Sequence, residues 1–157
     1  MCKKGKNGMM YEPTILNFKI LEEMEKGWDF YYEEGKRFYL TAHNSYKGKG
    51  KSFNNELLFN IISMSMERLL VSLLLYNNKM PLSETVSGLI RELGDIVSWP
   101  EELRKKVRLL NRFVYLCSLE PTPMKIPNNE EMVEIMDIAR ELKELVAIEI
   151  EEFATKN

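Results

Sequence analysis

Apolar positions recur at helical spacing along almost the whole chain. From Pro13 and Thr14 onward, Leu16, Ile20, Met24, Trp28, Tyr31 and Phe38 follow in steps of three, four and seven. That spacing puts them on one face of a first helix. Gly27 and Gly35 interrupt this segment, and each glycine costs a helix about 1 kcal/mol relative to alanine. A basic loop, Lys47-Gly48-Lys49-Gly50-Lys51-Ser52, comes next. The second helix, over 53–76, is apolar nearly all round and closes on Asn77-Asn78, residues that tolerate a left-handed cap. A helix of this kind belongs at the centre of a bundle.

The remaining chain predicts three more helices. Ser83 is the expected N-cap of the third, with Val86, Leu89, Ile90, Leu93, Ile96 and Val97 as its buried stripe. Ser98-Trp99-Pro100-Glu101 has capping-box spacing with an early proline and opens the fourth. Its stripe is Leu103, Val107, Leu110, Val114 and Cys117, ended by Pro121-Thr122-Pro123. The fifth starts after Pro127 at Asn128-Asn129-Glu130-Glu131, where acids suit the positive end of a helix. Met132, Ile135, Met136, Ala139, Leu142, Leu145, Val146 and Phe153 are its expected inward face. Five helices with short loops and no convincing strand predict an all-α, five-helix, up-and-down antiparallel bundle. Residues 1–12 read as a flexible tail and 13–157 as one domain.

Composition narrows the chemistry. The chain of 157 residues suits one core, since folding at this size buries roughly 70% of the unfolded surface. Cys2 and Cys117 are too few for a disulfide framework or a structural zinc site. His43 is the single histidine, which excludes sites needing two imidazoles from one chain. No metal or cofactor is therefore expected. The basic start, Met1 to Gly8, leads into no apolar signal segment. The longest apolar run, Leu57 to Leu75, is broken by Glu67-Arg68, a costly pair at the centre of a bilayer. A cytoplasmic protein without a membrane span is the expectation.

The formal net charge is −2, yet charge is unevenly spread. Residues 36–51 hold Lys36, Arg37, Lys47, Lys49 and Lys51 and no acid. The segment 101–112 has five basic and two acidic residues, whereas 130–157 has nine acidic and three basic. Such runs are solvated helix faces or an anion site. In the second, Phe38, Tyr39 and Tyr46 beside the lysines would stack on bases. The stretch Ser45 to Ser52 imitates a phosphate-binding loop, with Ser45 where the first glycine belongs. Helices alone do not supply the parallel sheet that such a loop needs, so it reads as a linker. Glu67 and Arg68 must be paired or turned outward, either in a polar stripe with Asn60, Ser63 and Ser72 or in a seam at a dimer interface or ligand groove. Arg112 and Tyr115, three residues apart, are the nearest candidates to complete a seam.

The order of motifs resembles the HEPN domains (higher eukaryotes and prokaryotes nucleotide-binding). Met66-Glu67-Arg68-Leu69-Leu70-Val71-Ser72-Leu73-Leu74-Leu75-Tyr76 is similar to the family's second-helix motif, a Glu and a basic residue within a Leu/Ala run. Leu110-Asn111-Arg112-Phe113-Val114-Tyr115, after Pro100-Glu101-Glu102-Leu103, resembles its Leu-Asn/Asp-Arg-aromatic stretch. The likeness runs from about Phe53 to Phe153. It implies a helical bundle, often a homodimer, that binds nucleotides, partners a minimal nucleotidyltransferase or acts as a metal-independent ribonuclease. The ribonuclease members place a His four to six residues beyond an Arg. Here the residues at that distance from Arg112 are Cys117, Ser118 and Leu119, none of them a base near neutral pH.

Arg37 and His43, with five residues between them, satisfy that spacing on the wrong element. Such a pair has the right chemistry, the imidazole taking a 2′-hydroxyl proton and the guanidinium facing the phosphate. The expectation is thus a non-catalytic module binding a nucleotide, RNA or a nucleotidyltransferase partner. Lys47, Lys49, Lys51, Glu67, Arg68, Arg112 and Tyr115 are its candidate contacts. The alternatives are a toxin-type ribonuclease using Arg37 and His43, and a structural dimeric bundle.

Overall fold

The computed structural model describes residues 26–50, 52–113 and 125–154. The tail 1–12, the expected helical positions Leu16, Ile20 and Met24, Val114 and both cysteines lie outside them. Five α-helices form among the described residues: α1 (Trp28–Tyr46), α2 (Asn55–Tyr76), α3 (Val86–Glu92), α4 (Glu101–Val107) and α5 (Asn129–Ala154). Single 3-10 turns, Leu93–Asp95 and Arg108–Arg112, extend α3 and α4. No strand occurs among the described residues, and the protein is all-α.

α2 is the central element. Asn54 caps it by accepting from the Leu57 N–H at 2.9 Å. Its end is a Schellman turn: Asn78 takes φ 57°, Lys79 N–H donates to Leu74 O, and Asn78 N–H donates to Leu75 O. By length and composition α2 alone among the described helices is apolar enough to cross a bilayer. Here Leu58, Ile62, Met66, Leu69, Leu70, Leu73 and Leu74 are buried within one chain. α1, α3 and α5 pack against this helix.

α1 runs antiparallel to α2, as Trp28 against Tyr76 at one end and Ser45 against Phe53 at the other require. The contact face differs from the expected aromatic stripe. Gly35, Ala42 and Ser45 are buried beside Tyr31, and Phe38 is only half-buried. Small residues let the two backbones approach. Ser65 Oγ donates to Gly35 O at 2.7 Å, and a Cβ on Gly35 would lie 2.7 Å from Leu69 Cγ.

α5 starts beside α2, where the Asn55 side-chain amide donates to Pro127 O and Asn129 Oδ1. These two long helices are therefore parallel. The return path is α4 with its 3-10 turn, antiparallel to α5. Lys106 reaches Asp137 and Glu141, while Phe113 lies under Lys125 just before α5. Hydrogen bonds from Arg140 and then Lys106 hold the Asp137 carboxyl down at about 2.

Two helix starts differ from expectation. Thr85, not Ser83, caps α3 by accepting from the Gly88 N–H at 3.1 Å. α4 begins at Glu101 with Pro100 at the cap, because a residue before proline is pushed out of the helical region. Trp99 is thereby freed to bury its ring in the core. The long stripe expected for α3 also breaks at Glu92, one residue before the turn that contains Gly94.

Candidate functional site

Glu67 and Arg68 are neighbours in sequence and share one cavity, but they meet different elements. Arg68 turns to α1, its Nε 3.1 Å from Glu34 Oε2 and its guanidinium 5.3 Å from the Tyr31 ring centroid. The buried Glu34 Oε2 accepts no hydrogen bond, so this is an ion pair without an aligned N–H. Glu67 turns instead toward α3 and lines three adjoining cavities of 630, 360 and 170 Å³. Asn60 and Ser63 share that groove, as a polar stripe requires. Ser72 does not: it is buried and donates to Leu69 O at 2.6 Å. Burial pushes the Glu67 carboxyl above the ordinary glutamate range; Arg68 opposes the shift and Glu84 adds to it.

Other sequence candidates do not converge. Arg112 is exposed near Glu131 and lines none of the cavities that Glu67 lines. Tyr115 and Lys51 lie outside the described residues. Lys47 and Lys49 are exposed in the loop after α1, with Lys47 Nζ 5.9 Å from the Tyr46 ring centroid. Three of the loop's backbone amides are already used within the helix end. Those of Lys47, Gly48 and Lys49 close α1 by donating to His43, Ser45 and Asn44.

Arg37 and His43 both lie on α1, where six residues put side chains about 9 Å apart along the axis and about 120° apart around it. Arg37 pairs with Glu34, whereas His43 stacks on Tyr39 at 5.6 Å between centroids. The fold separates the two groups that the ribonuclease alternative needs together.

A cleft that the sequence did not single out carries the clearest charge. Arg91 on α3, Arg104 on α4 and Arg108 in the following turn line a cavity of 460 Å³. Arg104 and Arg108 are one turn apart and Arg91 faces them from the other wall. Ile90 and Val107 lie at its buried side, with Ser87 Oγ donating to Asn111 Oδ1 at 2.7 Å. Among the described residues no carboxylate lines the cleft or pairs with any of the three arginines. Lys105 and Lys106, on the same helix, are neutralised by Glu102 and by Asp137 with Glu141. The positive excess of segment 101–112 was visible in sequence, but only the structure shows which of its cations are paired with an acid among the described residues. Among the described residues no cluster of three or more His, Cys, Asp or Glu side chains is placed to hold a metal ion.

No family model, curated protein or solved structure matches the chain.

Proposed function

We propose that this chain is a HEPN-like, non-catalytic module that binds the phosphates of a nucleotide or RNA. The observation that carries this reading is the cleft of three guanidiniums, Arg91, Arg104 and Arg108, with no ion pair among the described residues. A guanidinium fork meets two phosphate oxygens at once, and it stays charged at any physiological pH. Three such groups around one concavity focus a positive potential that the net charge of −2 conceals. The motif order from Met66 to Tyr76 and from Leu110 to Tyr115 supports the family part of the reading, and with it a nucleotidyltransferase as partner. The absence of turnover rests on the divergence of Arg37 from His43 and on the lack of an imidazole after Arg112.

Fluorescence anisotropy with a labelled single-stranded RNA, and competition by ATP, tests the proposal. Arg91→Gln, Arg104→Gln and Arg108→Gln together should weaken binding by about tenfold or more, with the RNA recovered intact. Replacing Lys47 and Lys49 should do less. RNA binding unchanged in the triple variant would overturn the site, and RNA cleavage abolished by His43→Ala would overturn the non-catalytic reading.

A further inference from the structure

The face of α2 that α1 and α5 leave uncovered is a groove of unusual composition. Its α2 wall follows Glu56, Asn60, Met64, Glu67, Val71 and Leu75, one unbroken stripe in steps of three and four. Its ends are nineteen positions apart, about 28 Å of helix. The 80–84 segment ahead of α3 lies along its C-terminal half and the 125–127 segment ahead of α5 along its N-terminal half. Met64, Met80, Leu82 and Ile126 line it as exposed large hydrophobics, with Leu82 87% exposed. Methionine and leucine side chains at such a place adapt to a partner's shape.

The charges are one-sided. Lys125 is paired with Glu131 and Arg68 with Glu34, so the cations at this surface are already answered. Glu56, Glu67 and Glu84 have no ion pair among the described residues. An acidic wall of this kind repels nucleic acid and anionic lipid, and it lacks only cations set beside apolar anchors. We infer that this groove docks an amphipathic, lysine- or arginine-bearing helix of a second protein, its apolar residues on Met64, Met80 and Leu82 and its cations on Glu56, Glu67 and Glu84. A helix in a groove presents anchors at steps of three, four and seven, matching the stripe it lies against. The upward push on the Glu67 carboxyl agrees, since a partner cation there would relieve it. The inference is independent of the arginine cleft, whose charge has the opposite sign.

The probe is a synthetic peptide of about 18 residues with leucines at helical spacing and lysines elsewhere, beside a twin with glutamates for lysines. Anisotropy at about 150 mM salt should show binding of the lysine peptide and at least about tenfold weaker binding of its twin. Glu56→Gln, Glu67→Gln and Glu84→Gln combined, and separately Met80→Ser with Leu82→Ser, should each weaken the lysine peptide by about tenfold. Glu130→Gln with Glu134→Gln, on the exposed start of α5, should change nothing. Equal loss in that α5 variant would reduce the effect to bulk charge and overturn the inference. So would unchanged binding in the groove variants, or a dimer that Leu82→Ser dissolves and the peptide does not displace, which would make a second copy the occupant.

Discussion

Glu67 is a carboxylate held half out of water with like charge nearby, and its protonation ought to register in stability. Its folded-state value is raised, first by burial and further by Glu84, with Arg68 pulling the other way. For an acid raised on folding, the ionised form is disfavoured above the unfolded value, and the penalty disappears below it. Glu67→Gln should therefore raise Tm by about 1–2 °C at pH 7, after screening at its partly exposed side, and by nothing near pH 4. Thermal melts of both proteins across that range check it. Gly35 makes the opposite case. Alanine there would gain up to about 1 kcal/mol of helix propensity, but its Cβ would sit 2.7 Å from Leu69 Cγ and 3.1 Å from Leu69 N. Leu69 is fully buried and its backbone cannot yield. Overpacking costs about 1–3 kcal/mol, so Gly35→Ala should lower Tm by about 3–6 °C.

Helix identity was readable because α2 and α5 bury long stripes, and a stripe of period 3.6 survives any detail of topology. Helix starts were less readable, for local reasons. The proline after Trp99 overrode the Ser98 to Glu101 capping pattern, and α1 packs through Gly35, Ala42 and Ser45, which hydrophobicity does not flag. The partner of Arg68 lies on another helix, and no spacing rule reaches from Glu34 to Arg68. The arginine cleft was hidden for the same reason, since Arg91 joins Arg104 and Arg108 only when α3 folds against α4. The start of α5 held a signal that a search for acids alone passes over. Asn128 Oδ1 accepts from the Glu131 N–H at 2.8 Å, and Glu131 Oε2 accepts from the Asn128 N–H at 3.0 Å, a reciprocal capping box. Asn128→Ala should cost about 1 kcal/mol and speed amide exchange in the first turn of α5, as hydrogen exchange would show.

At the scale of the molecule, charge is sorted by helix: arginines between α3 and α4 and glutamates along α2, neither set ion-paired among the described residues, and the acidic excess on α5. Three guanidiniums without an ion pair among the described residues are gathered at one cleft, so few phosphates should be neutralised on binding there. Each phosphate contacted on a single strand contributes about −0.7 to the slope of log K against log salt, and three guanidiniums predict a slope of about −2. If Lys47 and Lys49 joined the same footprint, the slope would steepen to about −3.5. Removing one guanidinium by Arg108→Gln should bring it to about −1.4, whereas replacing Lys47 and Lys49 should leave it near −2. Binding measured from about 50 to 200 mM salt resolves these values. A slope that flattens with the loop lysines and not with Arg108 would move the phosphates to the end of α1. A slope near zero would mean that the cleft arginines are not what holds the ligand.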